Sequence, residues 1–125
     1  MSQKVLLVDD SGLARRSTRR ILEGAGYDVV EAEDGMAAIE QYFVEKPDVV
    51  MLDLVMKGIY GLEVLAKLRE MDPGARVVVL SADIQTSSRD LVQAAGASAF
   101  LTKPANAQQM LDAVARAVQQ GDSWS

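Results

Sequence analysis

Short apolar runs that end in a polar or charged residue recur along this chain, and they limit its fold more than any other feature. Lys4-Val5-Leu6-Leu7-Val8 ends in Asp9-Asp10-Ser11, and Val49-Val50-Met51-Leu52 ends in Asp53. Val77-Val78-Val79-Leu80 ends in Ser81-Ala82-Asp83, and Ser98-Ala99-Phe100-Leu101-Thr102 ends in Lys103-Pro104. An unbroken apolar run of this length suits a strand buried on both faces, as in a parallel sheet covered by helices on each side. Tyr27-Asp28-Val29-Val30-Glu31 is shorter and flanked by charge, which suits a strand at or near the sheet edge.

Helical patterns separate these runs. Residues 12–25 place Ala14, Thr18, Ile21, Leu22 and Ala25 on one side, and Arg15, Arg16, Arg19 and Arg20 within an arc of about 140° on the other. That basic face reads either as solvated and partly paired with Glu23, or as a docking surface for an acidic partner. A second helix opens at Asp34-Gly35, carries Met36, Ala37, Ala38, Ile39, Tyr42 and Phe43, and is closed by Pro47. A third spans 62–71, with Leu62, Leu65, Leu68 and Met71 at helical spacing, before the turn Asp72-Pro73-Gly74. A fourth spans 84–95, with Ile84, Leu91, Val92 and Ala95 inward, Gln85, Ser88, Arg89 and Gln93 outward, and Gly96 as its stop. The last, 106–119, is expected to bury Met110, Leu111, Val114, Ala115 and Val118. Strand and helix alternate strictly, so the chain is expected to be α/β, with one parallel sheet between two helical layers.

Composition removes several chemistries. Without cysteine there are no disulfides or thiolates. Without histidine there is no Ser-His-Asp triad, no imidazole metal site and no imidazole base. A net charge of -5 argues against nonspecific nucleic-acid binding. No apolar run approaches the roughly 20 residues of a membrane span, and no signal-peptide pattern precedes Lys4, so a cytoplasmic location is expected.

If the strands are parallel, their carboxyl ends share one edge, where open α/β sheets bind ligands. Asp9, Asp10, Asp53, Ser81 and Lys103 would then converge. Singly, each has a plain reading as a turn residue, a cap or a surface lysine. Together they form a chemical set. Carboxylates crowded in one cleft call for a cation, and hard oxygen ligands favour Mg²⁺ or Mn²⁺. A carboxylate can attack phosphorus, while an ion, an ammonium and a hydroxyl neutralise the oxygens of the group transferred.

Val8-Asp9-Asp10-Ser11, the apolar strand ending in Asp53, Gly61 eight residues later, Ser81-Ala82 and Phe100-Leu101-Thr102-Lys103-Pro104 resemble the bacterial two-component response-regulator receiver domain. The resemblance spans nearly the whole chain and is greatest to the single-domain chemotaxis (CheY-like) type, because no output domain follows the last helix. It implies a flavodoxin-like, doubly wound, five-stranded parallel sheet of order 2-1-3-4-5 with five helices, a receiver domain over 1–120 and a flexible tail over 121–125. It further implies that Asp53 accepts a phosphoryl group from a histidine of a sensor kinase or histidine phosphotransfer protein. Asp10 would bind Mg²⁺ directly, Asp9 mainly through water, and the Val55 carbonyl would complete the protein ligands alongside Asp53. Ser81 and Lys103 would hold the phosphoryl oxygens. Ser81 and Phe100 would act as the switch, and the Lys103-Pro104 peptide would be cis.

A phosphorylated chain would change the surface of the fourth helix, fifth strand and fifth helix, including Gln85, Ser88, Arg89 and Phe100, for a downstream protein target. A phosphatase is a further possible partner. The chain would be a monomer or a weak phosphorylation-dependent dimer, with no nucleic-acid or membrane partner, and would be a regulatory domain that only assists its own phosphorylation and dephosphorylation. Val55 and Asp83 occupy positions expected to tune the lifetime of the phosphoryl group. Two departures stand out: Lys57 replaces the family's usual proline, and Phe100 lacks the hydroxyl of the commoner tyrosine. A Mg²⁺-dependent aspartyl-phosphate phosphatase is the rival enzyme reading, weakened because Val55 stands where such enzymes carry a second carboxylate. A phosphorylation-independent pseudo-receiver is the other rival, and the intact acidic and basic set speaks against it.

Overall fold

The computed structural model of the chain describes residues 2–55, 61–82 and 86–120, the side chains of 86–88 and 120 aside. In chain order its elements are β1 (Lys4–Val8), α1 (Gly12–Gly24), β2 (Asp28–Ala32), α2 (Gly35–Glu45), β3 (Val49–Asp53), α3 (Gly61–Met71), β4 (Val77–Ser81), α4 (Thr86–Ala94), β5 (Ala99–Thr102) and α5 (Ala107–Gln120). The strands form one sheet in the order β2-β1-β3-β4-β5. Every pairing is parallel, with Leu7 opposite Glu31 and Met51, Asp53 opposite Leu80, and Ser81 opposite Thr102. This is the flavodoxin-like fold, and β2 is an edge strand as its charged flanks predict.

Successive side chains of a strand point to opposite faces, and the core divides accordingly. Leu6, Val8, Val50, Leu52, Val77 and Val79 face Ala38 and Tyr42 of α2, Val64, Leu65 and Leu68 of α3, and Val92 of α4. Val5, Leu7, Val49, Met51, Val78 and Leu80 face Leu22 of α1 and Met110, Ala113, Val114 and Ala117 of α5. All ten residues of β3 and β4 are buried, as the unbroken runs require. Burying such a valine or leucine contributes roughly 1.5–3 kcal/mol.

Local chemistry starts the helices where the strands end. Ser11 is extended and its Oγ accepts the Ala14 N–H, opening α1; Asp34 does the same for Ala37 at the start of α2. Asn106 and Gln109 exchange side-chain-to-backbone hydrogen bonds at 2.8 and 2.9 Å, a reciprocal cap for α5.

The helix faces depart from expectation more than the strands do. Met36 and Phe43 are 67% and 72% exposed, because α2 turns Ala38 and Tyr42 inward and these two lie on the far side at about 100° per residue. Leu91 is exposed while its neighbour Val92 is buried, since α4 covers only one end of the sheet. Ala25 lies just beyond α1 and is exposed. In α5 the buried alanines are Ala113 and Ala117, with Leu111, Ala115 and Val118 half-buried, because α5 also packs beside α1. Ile84 lies outside the described residues. No described helix is long and apolar enough to cross a membrane.

Candidate functional site

Parallel register brings the strand ends to one edge. Asp9 follows β1, Asp53 is the last residue of β3, Ser81 the last of β4, and Lys103 follows β5. Asp9, Asp10 and Asp53 each offer a carboxylate oxygen, and these oxygens lie within 4.8 Å of one another. Lys103 Nζ stands between two of the carboxylates, 3.3 Å from Asp9 Oδ2 and 3.2 Å from Asp53 Oδ2. Asp9 and Asp53 are buried at 7% and 8% exposure, whereas Asp10 is open to solvent.

The backbone fixes each carboxylate. Asp9 Oδ1 accepts the Ser11 N–H at 2.9 Å, and Asp53 Oδ1 accepts the Val55 N–H at 3.2 Å. The Lys103 N–H donates to the Ser81 carbonyl at 2.8 Å, which carries the β4–β5 ladder one residue past β5 and sets the lysine at the edge. The Lys103-Pro104 peptide is cis. Gly61 has no room for a side chain: a Cβ there would stand 2.6 Å from Leu54 Cα and 2.7 Å from the Asp53 carbonyl oxygen. α3 therefore begins directly against the end of β3, and the Gly61 N–H donates to the Leu54 carbonyl at 2.8 Å.

Among the described residues, Lys103 is seen to meet two of the three clustered carboxylates, Asp9 and Asp53. Burial pushes the Asp53 carboxyl above the usual carboxylate range, and repulsion from Asp9 adds to this. The Lys103 ammonium and the Val55 N–H pull it back only in part. Burial pulls the Lys103 ammonium down, but attraction to Asp53 and Asp9 outweighs it and the lysine is held above its ordinary value. The donor set is all hard oxygen, with one solvent-facing carboxylate, and fits a small divalent cation. A cleft of about 440 Å³ runs from Asp9, Asp53 and Lys103 inward along Ala14, Thr18 and Met110.

Ser81 is fully buried, one strand from Asp53, and Phe100 is half-buried in β5 and packs against the core under α4. Val55 is 57% exposed beside the cluster. Arg89 is exposed on α4. Lys57, Asp83 and Gln85, the Ser88 side chain and the tail 121–125 lie outside the described residues.

Arg15 supports this site, a role that its place in the sequence does not signal. It reads as part of a basic face, yet its Nε donates to Glu31 at 2.9 Å and its Nη1 to the Asp9 carbonyl at 2.6 Å. Arg19 meets Glu31 at 2.6 Å and Glu23 at 3.2 Å. The hydrogen bond from Arg19, with that from Arg15 and both positive charges, holds Glu31 below the usual carboxylate range against a smaller opposing effect of burial. Only the register of β1 with β2 puts Glu31 within reach, so no local pattern could have announced the pairing. Arg16 and Arg20 remain exposed.

Comparison with known proteins agrees with this geometry. The sequence model of the response regulator receiver domain matches residues 5–115. The chemotaxis protein CheY of Halobacterium salinarum is 37% identical over 114 residues, covering 91% of this chain and 95% of that protein. The chemotaxis protein CheY of Bacillus subtilis is 37% identical over 116 residues, covering 91% and 96%. Among solved structures, the CheX-CheY-BeF3-Mg²⁺ complex from Borrelia burgdorferi superposes with a TM-score of 0.86 at 30% identity, covering 90% of this chain and 86% of that one. With an acidic cluster at the strand ends, a lysine spanning it and a match over nearly all of its length, the chain belongs to the family of response regulator receiver domains and is CheY-like within it.

Proposed function

We propose that this receiver is a phosphorylation-dependent switch whose acceptor is Asp53, served by a histidine kinase or histidine phosphotransfer protein and read by a downstream protein. The observation that carries this reading is the position of Lys103 Nζ, 3.3 and 3.2 Å from carboxylates of two different strand ends. An Asp53 carboxylate oxygen attacks phosphorus, the P–N bond to the donor histidine breaks as the O–P bond forms, and the imidazole leaves. Lys103 then exchanges carboxylate partners for phosphoryl oxygens, and the Ser81 hydroxyl serves a third oxygen from β4. Asp9, Asp10, Asp53 and the Val55 carbonyl would hold Mg²⁺ or Mn²⁺, which when bound neutralises charge developing on the transferred group. The complex of the Borrelia CheY carries Mg²⁺ with its BeF3 group, which supports the same ligand class here.

Charge drawn toward Asp53 is the event that moves the distant surface. Lys103 follows directly on β5, the strand that carries Phe100, so a shift of its ammonium is felt along that strand and at Arg89 of α4. The position two residues after Asp53, where an aspartyl-phosphate phosphatase would carry its acid-base carboxylate, is Val55. This favours a regulatory acceptor over a multiple-turnover phosphatase. Incubation of the chain with a small acyl phosphate and Mg²⁺ should add one phosphoryl group, detected by mass, and Asp53→Asn should remove it. Labelling of Asp53→Asn at the wild-type rate would refute the assignment.

A further inference from the structure

The carboxyl ends of α2 and α3 carry an apolar surface that faces solvent. Phe43 and Val44 are 72% and 68% exposed, and Met36, also exposed, lies on the side of Phe43 two turns earlier. Beside Phe43 is a hollow of about 760 Å³, lined by the buried Tyr42 and Pro47 and by Phe43, Lys46, Met71 and Asp72. A projecting aromatic ring therefore stands next to a recess with room for another.

Charges of opposite sign flank that ring. Glu40 lies three residues before Phe43 and Lys46 three residues after it, and both are exposed. Among the described residues neither forms an ion pair, whereas Glu45 is held by Lys4, and Asp72 accepts from the Tyr42 hydroxyl and the Gly74 N–H. Lys46 ends α2 in the left-handed conformation, with φ 49° and ψ 59°, where glycine would fit with less strain. The helix end thus carries a cation at the rim of the hollow.

A surface that meets its own copy across a two-fold axis must be complementary to itself. This one holds both members of each pair: a ring beside a recess, and an anion and a cation at equal spacing from the ring. A different protein would require only one member of each. If the axis passes by Phe43, two α2 helices run antiparallel, and residues equally spaced before and after Phe43 meet across it. Glu40 of each copy then faces Lys46 of the other, and each Phe43 ring lies against the opposite hollow.

We propose that this chain forms a weak isologous dimer through the carboxyl ends of α2 and α3. A net charge of -5 on each copy opposes association, and few apolar side chains are covered, so half-dissociation is expected on the order of 100 µM. The face lies at the amino edge of the sheet, away from Asp53, so the dimer does not require phosphorylation.

The test is sedimentation velocity of the unphosphorylated chain from about 5 µM to about 1 mM, where the sedimentation coefficient should rise with concentration. Phe43→Ser should weaken the dimer at least about tenfold and leave the melting temperature unchanged, because the ring is outside the core. Glu40→Lys and Lys46→Glu each set like charges across the axis and should each weaken it about fivefold or more. Mixed in equal amounts, these two variants should pair with each other at wild-type strength, since every charge then meets its opposite. Damage to the helix would not be repaired by mixing. A chain that stays monomeric up to about 1 mM would overturn the proposal and leave the face to a different protein. Wild-type association in Phe43→Ser, or a mixture no stronger than its components, would overturn it by showing that the copies meet elsewhere. None of these outcomes bears on the acceptor at Asp53.

Discussion

The two edges of the sheet use charge in opposite ways. At the amino edge, polar groups tie elements together. The Lys4 N–H donates to Asp48 at 2.7 Å, Lys4 Nζ meets Glu45 at 3.0 Å, and the Tyr42 hydroxyl donates to Asp72 at 2.7 Å. At the carboxyl edge, the Asp9, Asp10 and Asp53 carboxylates crowd together, and Lys103 bridges Asp9 and Asp53. Parallel strands produce both edges at once, since every strand starts on one and ends on the other. Connections that close at the amino edge support the fold, and the crowded charge at the other edge is left for chemistry.

This contrast is open to experiment. The largest effect is expected from Lys103→Ala, which removes the ammonium that bridges Asp9 and Asp53. The acceptor reaction should slow by a factor on the order of 100, measured as the rate of labelling by a small acyl phosphate, while the melting temperature barely moves. A large loss of stability with normal labelling would reverse the roles given to the two edges. Leu68→Ala tests the opposite case. Leu68 is fully buried under the amino half of the sheet, and its truncation should destabilise by about 2–5 kcal/mol in denaturant titration, with the acceptor reaction intact in the folded fraction.

Gly61→Ala probes where fold and site meet. Its new methyl group would press on the Leu54 and Asp53 backbone, so a loss of about 1–3 kcal/mol should come together with slower labelling. Loss of stability alone would show that Asp53 tolerates movement of its own strand end.

Tyr42→Phe removes one hydrogen bond at the amino edge and should cost about 1 kcal/mol. Its pH dependence has a definite sign. The Tyr42 hydroxyl, then the Gly74 N–H, hold the Asp72 carboxyl below its ordinary value, so this stability is present above the unfolded carboxylate pKa of about 3.9 and is lost as pH falls through the folded one. Burial, then the Asp72 hydrogen bond, push the Tyr42 hydroxyl well above its ordinary value, so its contribution is full below about pH 10 and is lost as pH rises past that. The gap between wild type and Tyr42→Phe should therefore be widest between about pH 5 and 9, and a gap that grows in acid would contradict the pairing. Arg19→Ala should have the smallest effect, under about 1 kcal/mol and shrinking with added salt, since its bonds to Glu31 and Glu23 are half-exposed.

How far the sequence could be read depended on the kind of contact. The runs around Val50 and Val78 announced strands buried on both faces because burial on both faces leaves no polar position to confuse the pattern. The residues closing those runs announced the site because strand direction alone sends Asp9, Asp53, Ser81 and Lys103 to one edge. Helix faces were less legible. Met36 and Phe43 have the composition of core residues, but α2 also carries Ala38 and Tyr42, and a helix with apolar residues on two sides does not state which side meets the sheet.

Sequence alone therefore determined the alternation of strand and helix, the double burial of the central strands, and the set of groups at their ends. These follow from local periodicity and chain direction. Tertiary structure decided the rest: the bridge from Lys103 to Asp9 and Asp53, the anchoring of Arg15 on Glu31 and the Asp9 carbonyl, and the pairing of Tyr42 with Asp72. Each joins residues from different elements. Their distance depends on register and helix rotation, which are set by packing across the whole sheet rather than by any stretch of chain.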